Sequence, residues 1–324
     1  MKACIFGAGA VGGHLAVQLL AADPEGISIV ARGAMLRAIR ERGLTLRKGG
    51  QETHVRPAII TGDPATLPSQ DLVLVTLKAH ALPGAATAIA RLLAPQGCAV
   101  FLLNGIPWWW RHGLPGRPGA LPLLDPEGAL WREVGPQRTL GGVVHSPNEI
   151  VAPGVILNTG PDHLILGEPD GSASARLDGA ISLLRARGVD ARASRDLRRD
   201  ILQKLVVNAS GNPIAALTRA DLGAQSADPG LRTLSIAVMR EVIEVAAALG
   251  WDLRSVLDVE ALARRGKPGD RPSMQQDVLL GRALEVEAVL GQVQAFASEK
   301  AVAVPAIDVI LPLLRGLDRA LRAQ

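Results

Sequence analysis

The chain has 324 residues, more than one small hydrophobic core usually organises, so two domains are expected. Hydrophobic residues make up 48% and charged residues 20%, a profile of folded rather than disordered chains, and 35 basic against 31 acidic side chains leave a net charge of +4. The arginines are scattered in small groups such as "RDLRRD", tyrosine is absent, and no window has the length and purity of a membrane span; nucleic-acid and membrane partners are therefore excluded.

The run "KACIF" (2–6) reads as a short buried strand, followed at once by "GAGAVGG" and the apolar helix "HLAVQLLAA". This start superficially imitates a secretory signal, but its glycines fall in a pattern with a mechanical reason, and the chain is read as soluble and unprocessed. "ISIV" (27–30) predicts a second strand, "AMLRAIRERG" a helix, "DLVLVTLK" (71–78) a third strand, "LPGAATAIARLLAP" a helix and "CAVFLLNG" (98–105) a strand ending in a turn. Continuous apolar strands alternating with helices imply a parallel sheet covered on both faces. Residues 106–135, rich in Pro, Gly and Trp, predict a long excursion from that sheet. "TLGGVVHSP", "GVILNTG" and "HLILGEP" resemble short antiparallel additions, and "RLDGAISLLRARG" another helix.

After residue 194 strand signals stop. "RDLRRDILQKLVVNAS", "PGLRTLSIAVMREVIEVAAALG", "MQQDVLLGRALEVEAVLGQVQAFASEK" and "PAIDVILPLLRGLDRALR" all carry helical periodicity. The predicted fold class is α/β: an N-terminal Rossmann-like doubly wound sheet (1–194) with a C-terminal all-helical domain (195–324). Cys4 and Cys98 lie far apart in apolar runs and fit neither a metal site nor a disulfide framework; reduced core thiols and a cytoplasmic location are expected.

Gly7, Gly9 and Gly12 form G-x-G-x-x-G immediately after a strand and at the mouth of a helix, so Gly7, Ala8, Gly9, Ala10, Val11 and Gly12 are candidate cofactor-binding residues. The first glycine permits a tight turn, the second lets a pyrophosphate approach the backbone, and the third allows close helix–strand packing. The second strand ends in "SIVARG", with Arg32 and no carboxylate where an NAD site usually places an acid. A guanidinium there can bond a 2'-phosphate in pairs, so NADP(H) is favoured over NAD. Lys78 and Asn104 close two further strands, where such sheets bind ligands, although each is equally compatible with a plain loop cap.

In "QKLVVNASGNP" (203–213), Lys204, Asn208 and Asn212 fall four residues apart and share one helical face. A lysine and two carboxamides aligned in this way are costly to bury without partners. Lysine can stabilise and protonate the oxyanion formed when hydride adds to a ketone, and carboxamides can bond carboxylate and hydroxyl groups.

With "GAGAVG", "VTLKAHAL", "LLNG", "DILQKLVVNASGNPIAALT", "SMQQDVLLGRALEVEAVLG" and "VAVPAID" in this order, the chain resembles the ketopantoate reductase (2-dehydropantoate 2-reductase) family over nearly its full length. The resemblance implies a Rossmann domain joined to a helical domain with the active site in the cleft, and NADPH-dependent reduction of a 2-oxo acid, 2-dehydropantoate, to (R)-pantoate in pantothenate biosynthesis. It implies Lys204 as catalytic acid, Asn208, Asn212 and Ser273 as substrate ligands, and Arg32, Lys78, Asn104 and Glu285 as cofactor-binding residues. Glu287 lies two positions from Glu285, so one helix cannot aim both at a site, and it is read as a surface charge. A homodimer through the helical domain is expected.

The chain also departs from the family pattern. Leu222 and Asp270 stand where family members commonly carry asparagine, and "IPWWWRHG" replaces the usual continuation after Asn104-Gly105. Trp108, Trp109 and Trp110 either bury the long loop or a subunit contact, or enlarge an acceptor pocket for another 2-oxo acid. Two other readings stay open: a hydroxy-acid or opine-type dehydrogenase, disfavoured because His112, His145 and His163 have no evident dyad partner, and a non-catalytic NADP(H)-sensing regulator.

Overall fold

Four-residue strands buried on both faces need helices above and below them, and the computed structural model, which describes residues 1–116 and 118–323, arranges them so. Its first compact unit comprises Met1–Leu103 and Trp108–Leu197. There β1 (Ala3–Phe6), α1 (Ala10–Ala22), β2 (Ile27–Val30), α2 (Gly33–Arg42), β3 (Leu44–Lys48), β4 (Gln51–Val55), β5 (Ile59–Thr61), β6 (Gln70–Val75), α3 (Ala86–Leu92) and β7 (Leu93–Leu102) follow in order. After the excursion come β8 (Thr139–His145), β9 (Asn148–Ala152), β10 (Val155–Asn158), β11 (His163–Gly167), α4 (Ala175–Arg185) and β12 (Ala191–Ala193).

The main sheet runs β12-β11-β8-β7-β6-β1-β2-β5. Every pairing from β5 to β8 is parallel; β11 runs antiparallel to β8, with β12 parallel to it. After β1 the chain moves to β2 on one side and later to β6 on the other, so the order reverses at β1, where such sheets open a ligand crevice. The fold is thus the doubly wound α/β type, with a helical C-terminal region.

A second sheet, β4-β3-β10-β9, packs on α1 and escapes the sequence reading. Its β3–β4 hairpin turns at Gly49 and Gly50, both with positive φ, and the largely exposed strand "QETHV" lacks the apolar alternation that would mark it. "GVILNTG" belongs to this sheet, antiparallel to β9 but parallel to β3, rather than extending the main sheet as a purely antiparallel addition. "TLGGVVH" is likewise mixed, parallel to β7 and antiparallel to β11.

Trp108, Trp109 and Trp110 are each 1% exposed. Trp108 meets Phe101 and Trp131 edge-on at centroid distances of 5.4 and 6.4 Å, while Trp109 packs so close to Gly141 that a Cβ there would lie 2.3 Å from its ring. The cluster is the core of the excursion, and rings so fully buried offer no face to a substrate.

The second unit comprises Asn104–Pro107 and Arg198–Gln324, with α5 (Leu197–Thr218), α6 (Leu222–Ala227), α7 (Pro229–Ala248), α8 (Val259–Ala263), α9 (Ser273–Leu279), α10 (Gln292–Glu299) and α11 (Pro305–Arg322). The long periodic run 274–300 is not one helix. It breaks at Gly281, where φ is +62°, passes through a non-helical link to Glu285, and re-enters through a wide π-type turn, Glu287–Gly291. No helix among the described residues is long and apolar enough to cross a membrane.

Candidate active site

The carboxyl ends of β2, β1 and β6 lie level, since Phe6 is in register with both Val30 and Val75. Gly7 turns the chain there with φ +111°, its N–H donating to the Val30 carbonyl at 2.9 Å and its carbonyl accepting from the Thr76 hydroxyl. Gly12 must lack a side chain, because a Cβ would stand 1.9 Å from the Gly7 oxygen. Gly9, the N-cap of α1, is the opposite case: a Cβ there would meet no protein atom within 4 Å. The loop therefore leaves Gly9 open beside the first N–H groups of α1, a cradle suited to a pyrophosphate. Ala8 is buried, and Ala10 and Val11 begin the helix half-buried. Arg32 is exposed at the N-terminus of α2, directly after β2, and Lys78 is half-buried two residues after Thr76. These residues share one edge of the sheet, and the donor set of open glycine backbone, helix N-terminus and Arg32 fits a phosphorylated dinucleotide.

In the helical unit, α5 is continuous from Leu197 to Thr218, so Lys204, Asn208 and Asn212 do align on it. Lys204 Nζ donates to Asn104 Oδ1 at 2.7 Å. Burial lowers the lysine from 10.5 to about 8, against the opposing pull of the Glu285 carboxylate, which favours the charged form. The Lys204 side chain nevertheless keeps some accessible surface, whereas Glu285 is 9% exposed. Asn208 is half-buried and Asn212 buried, next to Pro213, whose missing N–H removes one bond of the helix ladder. Ser273 is exposed at the first residue of α9.

The two departures lie together. Leu222 N–H donates to the Asp270 carbonyl at 3.0 Å, and Leu222 Cδ2 would be 3.1 Å from a Cβ at Gly211, which lies between Asn208 and Asn212 in sequence. The Asp270 residue is exposed, which leaves its charge solvated.

These geometries have counterparts in known proteins. The family model described as "Ketopantoate reductase PanE/ApbA" matches residues 3–171, and its C-terminal companion matches residues 196–318. The chain belongs to the ketopantoate reductase family. It is 39% identical to the 2-dehydropantoate 2-reductase of Mesorhizobium japonicum, over 98% of each chain, and 28% identical to that of Archaeoglobus fulgidus, also over 98% of each. A crystal structure of a candidate ketopantoate reductase from Ralstonia solanacearum MolK2 superposes with a TM-score of 0.89 at 35% identity, covering 98% of both chains.

Within this family frame, the histidines take structural places. His145 and His163 stack at 4.5 Å on paired strands, and His112 meets Trp131 edge-on. A histidine–carboxylate pair that sequence reading missed does exist: His14 Nε2 lies 3.2 Å from Asp162 Oδ2, and Nδ1 lies 2.6 Å from Asn148 Oδ1. At 2% exposure, with both ring nitrogens facing protein oxygens, His14 joins α1 to the second sheet. Only the apolar periodicity of α1, interrupted by a histidine, could have signalled it. Glu287, expected as a surface charge, is partly exposed, and Arg315 grips both its oxygens, at 2.8 and 2.7 Å.

The second and third glycines of the motif should behave oppositely. Gly12→Ala is expected to cost about 1–3 kcal/mol in urea unfolding, because backbone must move. Gly9→Ala is expected to stay within about 0.5 kcal/mol of the parent yet weaken dinucleotide binding severalfold by titration calorimetry.

Proposed function

We propose that this chain is an NADPH-dependent 2-oxo acid reductase that converts 2-dehydropantoate (ketopantoate) to (R)-pantoate, a step of pantothenate biosynthesis. The observation that carries the reading is the Lys204 ammonium, desolvated and bonded to Asn104 with Glu285 as its counter-charge. The full-length family match supports the substrate class. Bound NADPH would supply the hydride.

Gly7, Ala8, Gly9, Ala10, Val11 and Gly12 would seat the pyrophosphate, Arg32 the 2'-phosphate, and Lys78, Asn104 and Glu285 the rest of the cofactor. Lys204 Nζ donates a hydrogen bond to Asn104 Oδ1, which helps to orient the amine that would bond the substrate carbonyl oxygen. As hydride reaches the carbonyl carbon, the C=O π pair moves onto oxygen; Lys204 stabilises that charge and transfers a proton to it. A value near 8 suits this work, because the amine is charged at neutral pH but parts with its proton more easily than an exposed lysine. Glu285 opposes premature loss of that proton. Asn208, Asn212 and Ser273 would hold the carboxylate and hydroxyl of the substrate. Leu222 beside Gly211 would present an apolar surface near the same helix face.

Two further proposals concern the setting. Val309 and Leu313, 64% and 57% exposed on one side of α11, support a homodimer through the helical unit. The two free, buried thiols, both raised to about 11 by desolvation, support a reducing cytoplasm, which cell fractionation checks.

Lys204→Ala is expected to lower kcat with ketopantoate about 10²–10⁴-fold while NADPH affinity by fluorescence titration stays within about threefold. For the parent, turnover should fall as pH rises through about 8, where Lys204 gives up its proton. Retained turnover in the variant would overturn the assignment. Arg32→Ala should weaken NADPH roughly tenfold or more and NADH less than about twofold, since only the former carries the 2'-phosphate; equal losses would remove Arg32 from that role. Sedimentation equilibrium should find a dimer that Leu313→Asp dissociates, and a monomeric parent would end the dimer proposal.

A further inference from the structure

Glu285 has no helix of its own to hold it. It sits in the link between Gly281 and the π-type turn, where its carbonyl accepts from Val289 N–H at 3.2 Å but no helix leads directly into it. The ties come from α11, on both sides of the residue. One position before it, Leu284 N–H donates to Asp318 Oδ1 at 2.7 Å. Two positions after it, the Glu287 carboxylate is held in two bonds by the Arg315 guanidinium. Arg315 and Asp318 are three apart on α11 and so share a face. Gly291 makes the room, because a Cβ there would stand 2.0 Å from Glu287 Oε2. The same turn also steadies the other partner of Lys204: the Ala288 carbonyl accepts from Ile106 N–H at 2.8 Å, two residues from Asn104.

We propose that Arg315 and Asp318 are positioning residues for the reduction, pinning Leu284 and Glu287 to α11 and thereby holding Glu285 as the counter-charge of the Lys204 ammonium. The inference rests on the reading of Lys204 as proton donor and extends it to residues that touch neither substrate nor cofactor. A partly exposed ion pair contributes little to stability, so a pair at side-chain exposures of 35% and 34% is poorly explained as a mere staple. Its geometry instead serves direction, since a bidentate guanidinium–carboxylate pair fixes orientation as well as distance. The Glu285 carboxylate favours the charged form of Lys204; Glu287 is taken by Arg315; Asp318 is shared between the Leu284 N–H and Arg322 Nε, 2.7 Å away.

The test reads the lysine itself. In protein carrying 13Cε-lysine, the Lys204 resonance, identified by its loss in Lys204→Met, is titrated alongside the alkaline limb of kcat. Releasing Glu285 removes the charge that opposes desolvation, so the midpoint should fall, by about one pH unit, in Asp318→Ala and in the charge-neutral double variant Glu287→Gln/Arg315→Gln. Asp318→Asn keeps an oxygen for the Leu284 N–H and should titrate close to the parent. Equal shifts in Asp318→Asn and Asp318→Ala would mean a through-space charge effect and would overturn the proposal. So would an unmoved midpoint in Asp318→Ala and the double variant, whether or not Glu285→Gln moves it. If Asp318→Ala fails to fold, the double variant, altered at a half-exposed pair, decides. Turnover surviving in Lys204→Ala would sink the reductase reading separately, because the titration needs no activity.

Discussion

A primary amine withdrawn from water is the constraint on which the helical unit turns. Burial alone would strip Lys204 of its proton more readily than the proposed proton transfer requires, and the surrounding structure returns part of that stabilisation. Asn104 does so with a single short hydrogen bond and Glu285 with charge. Neither partner is near Lys204 in sequence, and neither belongs to a regular helix. Each is instead carried by a short irregular segment that needs anchoring of its own, and the wide turn at 287–291 provides an anchor for both. An unusual backbone conformation at that point is easier to understand as the means of presenting two groups to one amine than as a defect in a helix.

The sheet unit solves a different problem, that of keeping a helix N-terminus open and still. Gly7 and Gly12 close on one another so tightly that no side chain fits, while Gly9 faces no protein at all. The amide end of α1 is steadied from its flank, where Gly13 lies against Ile156 and His14 meets Asn148 and Asp162. The small second sheet thus acts as a brace for α1, the helix proposed to seat the pyrophosphate, and its polar contacts on α1 resist rotation of the helix better than apolar packing would, because hydrogen bonds are directional.

Much of this was legible beforehand. The glycine spacing, the strand–helix alternation and the face shared by Lys204, Asn208 and Asn212 depend on local periodicity, which a sequence carries openly. The β3–β4 hairpin was not legible, since "QETHV" is exposed and its turn glycines look like any loop. The break ahead of Glu285 was hidden too: the apolar spacing of 274–300 continues through it, since Met274 and Val278 before it and Leu284 and Val286 after it are buried, and the exposed Leu279 and Leu280 look no different in sequence. The tryptophan run was ambiguous in sequence and became a core only once Phe101, Trp131 and Gly141 surrounded it.

By itself, then, the sequence determined most of the elements, the glycine loop and the order of family motifs, all of which follow from residue type and short-range spacing. Only the tertiary structure decided who stands beside the lysine. Asn104, a hundred positions away, accepts its hydrogen, and Glu285 is delivered by a link that α11 holds at two points. Such pairings depend on long-range packing, in which the burial of one charge sets the placement of its partners, and no local pattern encodes that.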